Sequence, residues 1–251
     1  MSLNTFLFVV YPYICLAVFL MGSLARFDRD QYTWKSDSSI LLRRGAMNWA
    51  SNLFHIGILF LLFGHTVGLL TPHWVYEPFI SAPHKQMMAI VSGGIAGTLC
   101  FIGLTMLLYR RLFDPRIRLT SHRTDLAILM ILWVQLVLGL VTLPFSYGHR
   151  TDAQAMLVLS AYLQGIATFS PDPSALASID WPFKVHMVLG MTIFLLFPFS
   201  RLVHVWSGLA TIFYVFRPYQ LVRSRRLNVP PGQNLPRAAS GLGGQTPGGA
   251  R

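Results

Sequence analysis

The chain has 251 residues, of which 53% are hydrophobic and only 12% charged, and a formal net charge of +11. A soluble domain carries about twice that charged fraction, so an ordinary soluble fold is excluded. The basic excess is spread over alternate connections rather than gathered in one patch, which argues against nucleic acid as its partner.

Apolar residues cluster in five blocks, roughly residues 3–24, 48–70, 86–109, 125–145 and 183–207. Each is near the ~20 residues that cross a bilayer. With no water in hydrocarbon to satisfy the backbone, each block is predicted to be a helix. The first lacks a basic leader and a small-residue cleavage site in LMGSLARF, so it reads as a retained helix rather than a signal peptide. The connection after it carries Arg26, Arg29, Lys35, Arg43 and Arg44. The second block, NLFHIGILFLLFGHTVGLL, holds His55 and His65. The next connection has one lysine, Lys85, together with His73 and His84.

The third block contains Gly93, Gly94, Gly97 and Gly103. The Gly93–Gly97 spacing predicts close helix packing. Arg110, Arg111, Arg116, Arg118 and Arg123 follow it, with His122 among them. Beyond the fourth block, residues 146–182 carry His149 and Arg150 and are expected to include a short interfacial helix around 152–166. The turn-forming run SPDPSALASIDWP then leads into the fifth block. That block, FKVHMVLGMTIFLLFPFSRLVHVW, holds His186 and His204, with Lys184 just inside its start. Arg217, Arg223, Arg225 and Arg226 lie beyond it. The Pro- and Gly-rich residues 228–251 cannot build a core and are expected to be a disordered tail, leaving a membrane domain of residues 1–227. Trp34, Trp74, Trp181 and Trp206 fall near the ends of blocks, as an aromatic belt would place them.

The alternation of arginine-rich and nearly bare connections is the positive-inside pattern. It puts the N-terminus outside and the C-terminus in the cytoplasm, which an odd number of spans also requires. Cys15 and Cys100 both fall inside predicted spans, so a structural disulfide has little support, and no C-x-x-C-H occurs for covalent haem attachment.

A histidine in hydrocarbon is costly and marks function. Here four sit two and two on antiparallel helices. The second helix runs inside to outside and the fifth runs back. Topology therefore pairs His55 with His204 on the cytoplasmic side and His65 with His186 on the outer side. Two neutral imidazoles per site suit axial ligation of two stacked b-type haems. On straight helices the ten residues from His55 to His65 rise ~15 Å, and the eighteen from His186 to His204 rise ~27 Å, a mismatch of ~12 Å for helix crossing or a kink at Pro198 to absorb. The eighteen-residue spacing also puts His186 and His204 on one face of a continuous helix. The bland alternative is four hydrogen-bonded core histidines. A zinc transporter would need carboxylates beside them, whereas all nine Asp and Glu lie outside the apolar cores or at their edges. A plain anchor and a histidine-relay channel are the remaining alternatives. His73, His84, His122 and His149 read as surface or interface residues.

The stretches YPYICLAVFLMGSLARFD, QYTWKSDSSILL, NLFHIGILFLLFGHTVGLLTPHWVYE, RRLFDPRIR, FKVHMVLGMTIFLLFPFSRLVHVWS and YQLVRSR resemble the gamma subunit of membrane-bound respiratory nitrate reductase, a dihaem cytochrome b. The resemblance covers roughly residues 5–226 and implies an all-α polytopic protein of the bacterial inner membrane, five transmembrane helices forming a dihaem four-helix-type bundle. It implies two haem b groups, on His65 and His186 and on His55 and His204. It implies oxidation of a quinol, ubiquinol or menaquinol, in a region containing Lys85, His65 and Gly68. It further implies an iron–sulfur beta subunit and a molybdenum-containing alpha subunit as partners, with no nitrate-reducing site in this chain. Electrons moving inward oppose the membrane potential at ~2.3 kcal/mol per 100 mV, so the inner haem is expected to have the higher potential. Arg201 would stabilise it or pair a propionate; as a positive-inside anchor it would do neither. Lys85 has a simpler reading too, as an anchor that snorkels to water. A dihaem cytochrome b serving a formate dehydrogenase or a hydrogenase is the nearest alternative.

Overall fold

The structure is a computed structural model and describes residues 2–29 and 47–206. Every regular element among the described residues is a helix. Five are long and apolar enough to cross a membrane. They are α1 (Leu3–Arg29), α2 (Met47–Leu70), α3 (Ala82–Phe113), α4 (Arg123–Gly148) and the stretch Trp181–Phe199, whose regular part is α6 (Trp181–Leu196). The shorter α5 (Gln154–Ala167) lies where an interfacial helix was expected. The predicted tail, Trp34, Lys35, Arg43, Arg44 and the arginines from 217 to 226 lie outside the described residues.

Local chemistry explains the boundaries. Ser2 caps α1 by accepting from the Thr5 N–H at 3.1 Å. A π-helical stretch, Phe6–Val10, precedes Pro12, whose ring nitrogen has no hydrogen for the Phe8 carbonyl. Tyr162 of α5 donates its hydroxyl to that carbonyl at 2.8 Å. Burial holds the Tyr162 phenol protonated well above the usual tyrosine range. Ser81 and Pro83 start α3, and its 32 residues rise about 48 Å, so its ends extend past a hydrocarbon layer of ~30 Å. Asp114 accepts from the Arg116 N–H and opens the short helix Pro115–Thr120, which turns the chain into α4. The Asp152 carboxylate does the same for Gln154 at the head of α5.

The helices pack in an open series: α2 on α3, α3 on α4, α4 on α6 and α6 on α1, with α5 against α2. The α2–α3 crossing is set by Gly57 and Gly103. A Cβ on Gly57 would stand 2.6 Å from the Cys100 Cβ, and one on Gly103 would stand 2.5 Å from the Phe54 backbone nitrogen. The predicted pair behaves differently. Gly97 meets Leu140 of α4, and Gly93 faces open space. The sequence spacing located the right helix and one of its packing glycines, Gly97, but not Gly93, because a small-residue motif does not say which neighbour fills it.

One core joins Phe8 of α1, Tyr162 and Ile166 of α5, and Phe183 of α6. A second joins Cys100 and Leu104 of α3 to Leu129 and Leu136 of α4. The outward surfaces stay apolar, and only 6% of the α2 window is buried within the chain. Such continuous apolar exteriors suit lipid rather than water. Of the tryptophans expected near the span ends, Trp74 and Trp181 are exposed. Trp206 instead packs against Phe19 and Phe197, with ring centres 5.5 and 6.2 Å away.

The fifth block departs from its prediction as a single helix to residue 207. Regular α-helix stops at Leu196. Two 3₁₀ turns follow, Phe197–Phe199 and Arg201–Val203, separated by Ser200 in an extended conformation with φ −117° and ψ 175°. Pro198 is the cause, since it cannot donate and its ring crowds the preceding turn.

Candidate functional site

The four intramembrane histidines come together in two pairs. The His55 and His204 ring centres lie 6.4 Å apart, and those of His65 and His186 lie 6.2 Å apart. Both pairs meet because α6 breaks between His186 and His204. From His55 to His65 the chain climbs ten helical residues, and from His186 it climbs ten to Leu196 before the turns begin. Eight further residues, in 3₁₀ turns around the extended Ser200, carry the chain to His204, so the ~12 Å mismatch reckoned on straight helices is taken up at the Pro198 break. His186 and His204 do not share one helical face, since no single helix contains both.

Each imidazole is oriented through Nδ1. His55 donates to the Ser51 carbonyl at 2.7 Å and His65 to the Leu61 carbonyl at 2.7 Å, both one turn back on α2. His186 donates across to the Gln135 carbonyl of α4 at 3.1 Å, and His204 donates to the Arg201 carbonyl at 2.6 Å. A carbonyl can only accept, so the proton sits on Nδ1 and Nε2 carries the lone pair that a metal would take; at His186 the Gln135 side-chain amide nitrogen lies 3.4 Å from that Nε2. Metal-binding histidines are held this way, with the second nitrogen fixing tautomer and ring direction.

Spacing gives a second test of fit. Imidazole nitrogens each ~2.0–2.1 Å from one metal ion, with ring centres ~1.2 Å behind them, put the centres ~6.4 Å apart. Both observed separations match that figure. The surroundings allow a broad planar group. α2 packs chiefly on α3 and α5, and α6 on α4 and α1, so the rings face one another across a seam between α2 and α6. A Cβ on Gly64 or Gly68, either side of His65, would touch nothing within 4 Å. Gly139 of α4 lies close to the His186 ring, and a Cβ there would come 3.0 Å from Cε1. The residues present therefore fit two bis-histidine haems. Among the described residues no three His, Cys, Asp or Glu side chains gather as a zinc site would require.

Lys85 lies on the first turn of α3, at the same end of the α2–α3 hairpin as His65 and Gly68. Its ammonium rests 3.6 Å above the centre of the Tyr76 ring. The Nζ atom is buried and has no hydrogen-bond acceptor among the described residues. A snorkelling anchor would reach water; this amine is instead sequestered, a cation with donors to spare.

Arg201 has a protein partner. Its guanidinium lies 3.3 Å from Oδ2 of Asp125, and Arg111 approaches the same oxygen at 3.5 Å. Asp125 is 8% exposed. In the sequence it stands at the edge of the fourth block, and an acid entering a span among arginines is the signal that finds it. The remaining histidines take surface roles. His73 pairs with Glu77 at 3.2 Å, His84 meets the Ser81 hydroxyl at 2.7 Å, and His149 lies 3.8 Å from both Asp152 and Asp180.

The sequence is similar to those of known proteins. The family model for the nitrate reductase gamma subunit matches residues 4–225. The respiratory nitrate reductase 1 gamma chain of Escherichia coli K12 is 51% identical over 224 residues, covering 89% of this chain and 98% of that protein. The respiratory nitrate reductase 2 gamma chain of the same organism is 51% identical over 226 residues, with the same coverage. The nitrate reductase gamma chain of Bacillus subtilis 168 is 37% identical over 217 residues, covering 86% of this chain and 96% of that protein. With the match running through all five spans and both histidine pairs, the chain belongs to the nitrate reductase gamma subunit family.

Proposed function

We propose that the chain is a dihaem cytochrome b that takes electrons from quinol and delivers them to nitrate-reducing partner subunits. His65 and His186 hold one b-type haem through Nε2, and His55 and His204 hold the other. Bound there, the two groups would supply one-electron relays, a role that two imidazole donors on each favour over oxygen chemistry. The observation that carries this reading is the repeated geometry of two imidazole pairs, 6.2 and 6.4 Å between centres, with every Nδ1 already engaged by a carbonyl.

Lys85 binds the quinol, with His65 and Gly68 beside it. Its buried ammonium, lacking an acceptor, donates to a quinol oxygen. The quinol's protons leave on the outer side. The N-terminus is outside and the arginine-rich connections face the cytoplasm of a bacterium, in whose inner membrane the chain resides. There the inner connections, with Arg116, Arg118 and Arg123, and the segment 216–226 meet the iron–sulfur beta subunit, which in turn serves a molybdenum-containing alpha subunit. Anionic lipid headgroups suit the same arginines on faces the partner leaves open.

A reduced-minus-oxidised spectrum of the purified chain, with haem counted against protein, tests the proposal. The expected result is b-type bands and about two haems per chain, falling to about one when any of His55, His65, His186 or His204 is replaced by Ala. A colourless protein, or haem content indifferent to all four, overturns it. Quinol oxidation that depends on nitrate, measured in membranes carrying the complex, separates this role from service to a formate dehydrogenase or hydrogenase.

A further inference from the structure

The element that delivers His204 is a broken helix end, and a broken end within an apolar layer leaves carbonyls without donors. The Phe194 carbonyl is taken by the Phe197 N–H in the tightened last turn. Two carbonyls beyond it are taken by α1. One guanidinium nitrogen of Arg26 donates to the Pro198 carbonyl at 2.7 Å and to the Ser200 carbonyl at 2.9 Å. Arg26 is half-buried, whereas residues 27–29 that follow it are exposed. The contact requires α1 to come very close. A Cβ on Gly22, one turn before Arg26, would stand 2.8 Å from the Pro198 ring. Phe19, a further turn back, packs edge-on against Phe197, centres 4.9 Å apart.

From Ser200 a short relay reaches the imidazole. The Ser200 hydroxyl accepts from the Leu202 N–H at 3.2 Å and starts the Arg201–Val203 turn. Asp125 of α4 holds the Arg201 side chain at 3.3 Å. Val203 is fully buried, and the Arg201 carbonyl receives the His204 Nδ1 proton at 2.6 Å. The ring is thereby aimed by a backbone segment that α1 and α4 clamp from two sides. α1 contributes no histidine; its first half docks through the Phe8 core, and its last turns dock on the broken end of α6.

We propose that Arg26 is a positioning residue for His204, acting through the Pro198–Ser200 carbonyls, and that this residue thereby governs the haem held by His55 and His204 and not the one held by His65 and His186. This rests on the haem reading above. Charge-assisted bonds to two carbonyls are strong enough to set a turn, and losing an orienting partner typically costs about 10- to 100-fold in affinity for the bound metal group.

The test uses the full chain in its complex. Arg26→Ala, Arg26→Lys and Gly22→Ala are compared with His55→Ala and His65→Ala, which identify the optical and low-spin resonance signals of the two haems. Arg26→Ala is expected to lose or shift the signal missing in His55→Ala and to keep the signal missing in His65→Ala. Arg26→Lys, which keeps the charge with a single nitrogen, is expected to restore that signal in part. Gly22→Ala is expected to shift the same signal by displacing Pro198, and it decides the matter if Arg26→Ala does not accumulate. Two unchanged signals, or equal loss of both, overturn the inference. Wild-type chain without haem overturns the underlying reading instead.

Discussion

An imidazole whose Nδ1 faces a carbonyl has one basic nitrogen left, and in all four histidines of the seam that nitrogen is Nε2. For His55 and His65 the carbonyl is supplied one turn back on their own helix, so any straight α2 would serve. His186 is different. It borrows the Gln135 carbonyl of α4 and lies against Gly139, where no side chain intrudes. Gly139→Ala would place a methyl 3.0 Å from Cε1. Overpacking of this kind costs about 1–3 kcal/mol, and here the ring is the part able to move. The variant is expected to lose or shift the haem signal that depends on His65, with the His55-dependent signal retained, as read from the reduced-minus-oxidised spectrum. Lys85 yields a second expectation. A hydrogen bond from a charged donor is worth about 1.5–3 kcal/mol, which converts to roughly 10- to 100-fold in affinity. Lys85→Ala is expected to weaken binding of a quinol analogue by that factor and to slow quinol-driven haem reduction while leaving haem content unchanged. Unchanged kinetics would remove the lysine from the site.

At the scale of elements, two features were legible in the sequence and two were not. The number of spans follows from apolar block length, and the pairing of histidines follows from antiparallel direction. Both need only one-dimensional information. The end of α6 at Leu196 was anticipated only as a kink at Pro198, because one proline can bend a helix or end it and the choice depends on who accepts the freed carbonyls. Arg26, on another helix, makes ending it possible. Asp125 was likewise invisible as a site residue, since its two arginine partners lie fourteen residues before it and seventy-six after it. The glycines of α3 make the same point in a testable way. Gly93 faces open space, so Gly93→Ala gains helix propensity worth up to about 1 kcal/mol with nothing to displace. At Gly103 the new methyl would meet the backbone of α2 at 2.5 Å, which cannot yield as a flexible side chain can. Thermal unfolding in detergent is expected to show Gly103→Ala melting well below the wild type and Gly93→Ala at or slightly above it.

The molecule as a whole is an apolar-surfaced series of helices whose connections differ sharply in charge. The α2–α3 connection exposes Phe79, 89% accessible, in a stretch whose nearest cation is Lys85. The α3–α4 connection exposes Leu119, 88% accessible, among Arg116, Arg118 and Arg123. Arginine retained on the cytoplasmic face during insertion would put these two residues on opposite sides of the membrane. The chain is well suited to asking directly, because its native cysteines, Cys15 and Cys100, are both 0% exposed and make no background for a polar thiol reagent. Phe79→Cys is expected to react with a membrane-impermeant maleimide in intact cells from which the outer membrane has been removed. Leu119→Cys is expected to react only after the inner membrane is opened. The same sidedness decides which histidine pair can serve an external quinol. If Leu119→Cys were labelled from outside and Phe79→Cys were not, His55 and His204 would become the pair nearer the outer face, and the quinol site at Lys85 would have to discharge its protons into the cytoplasm.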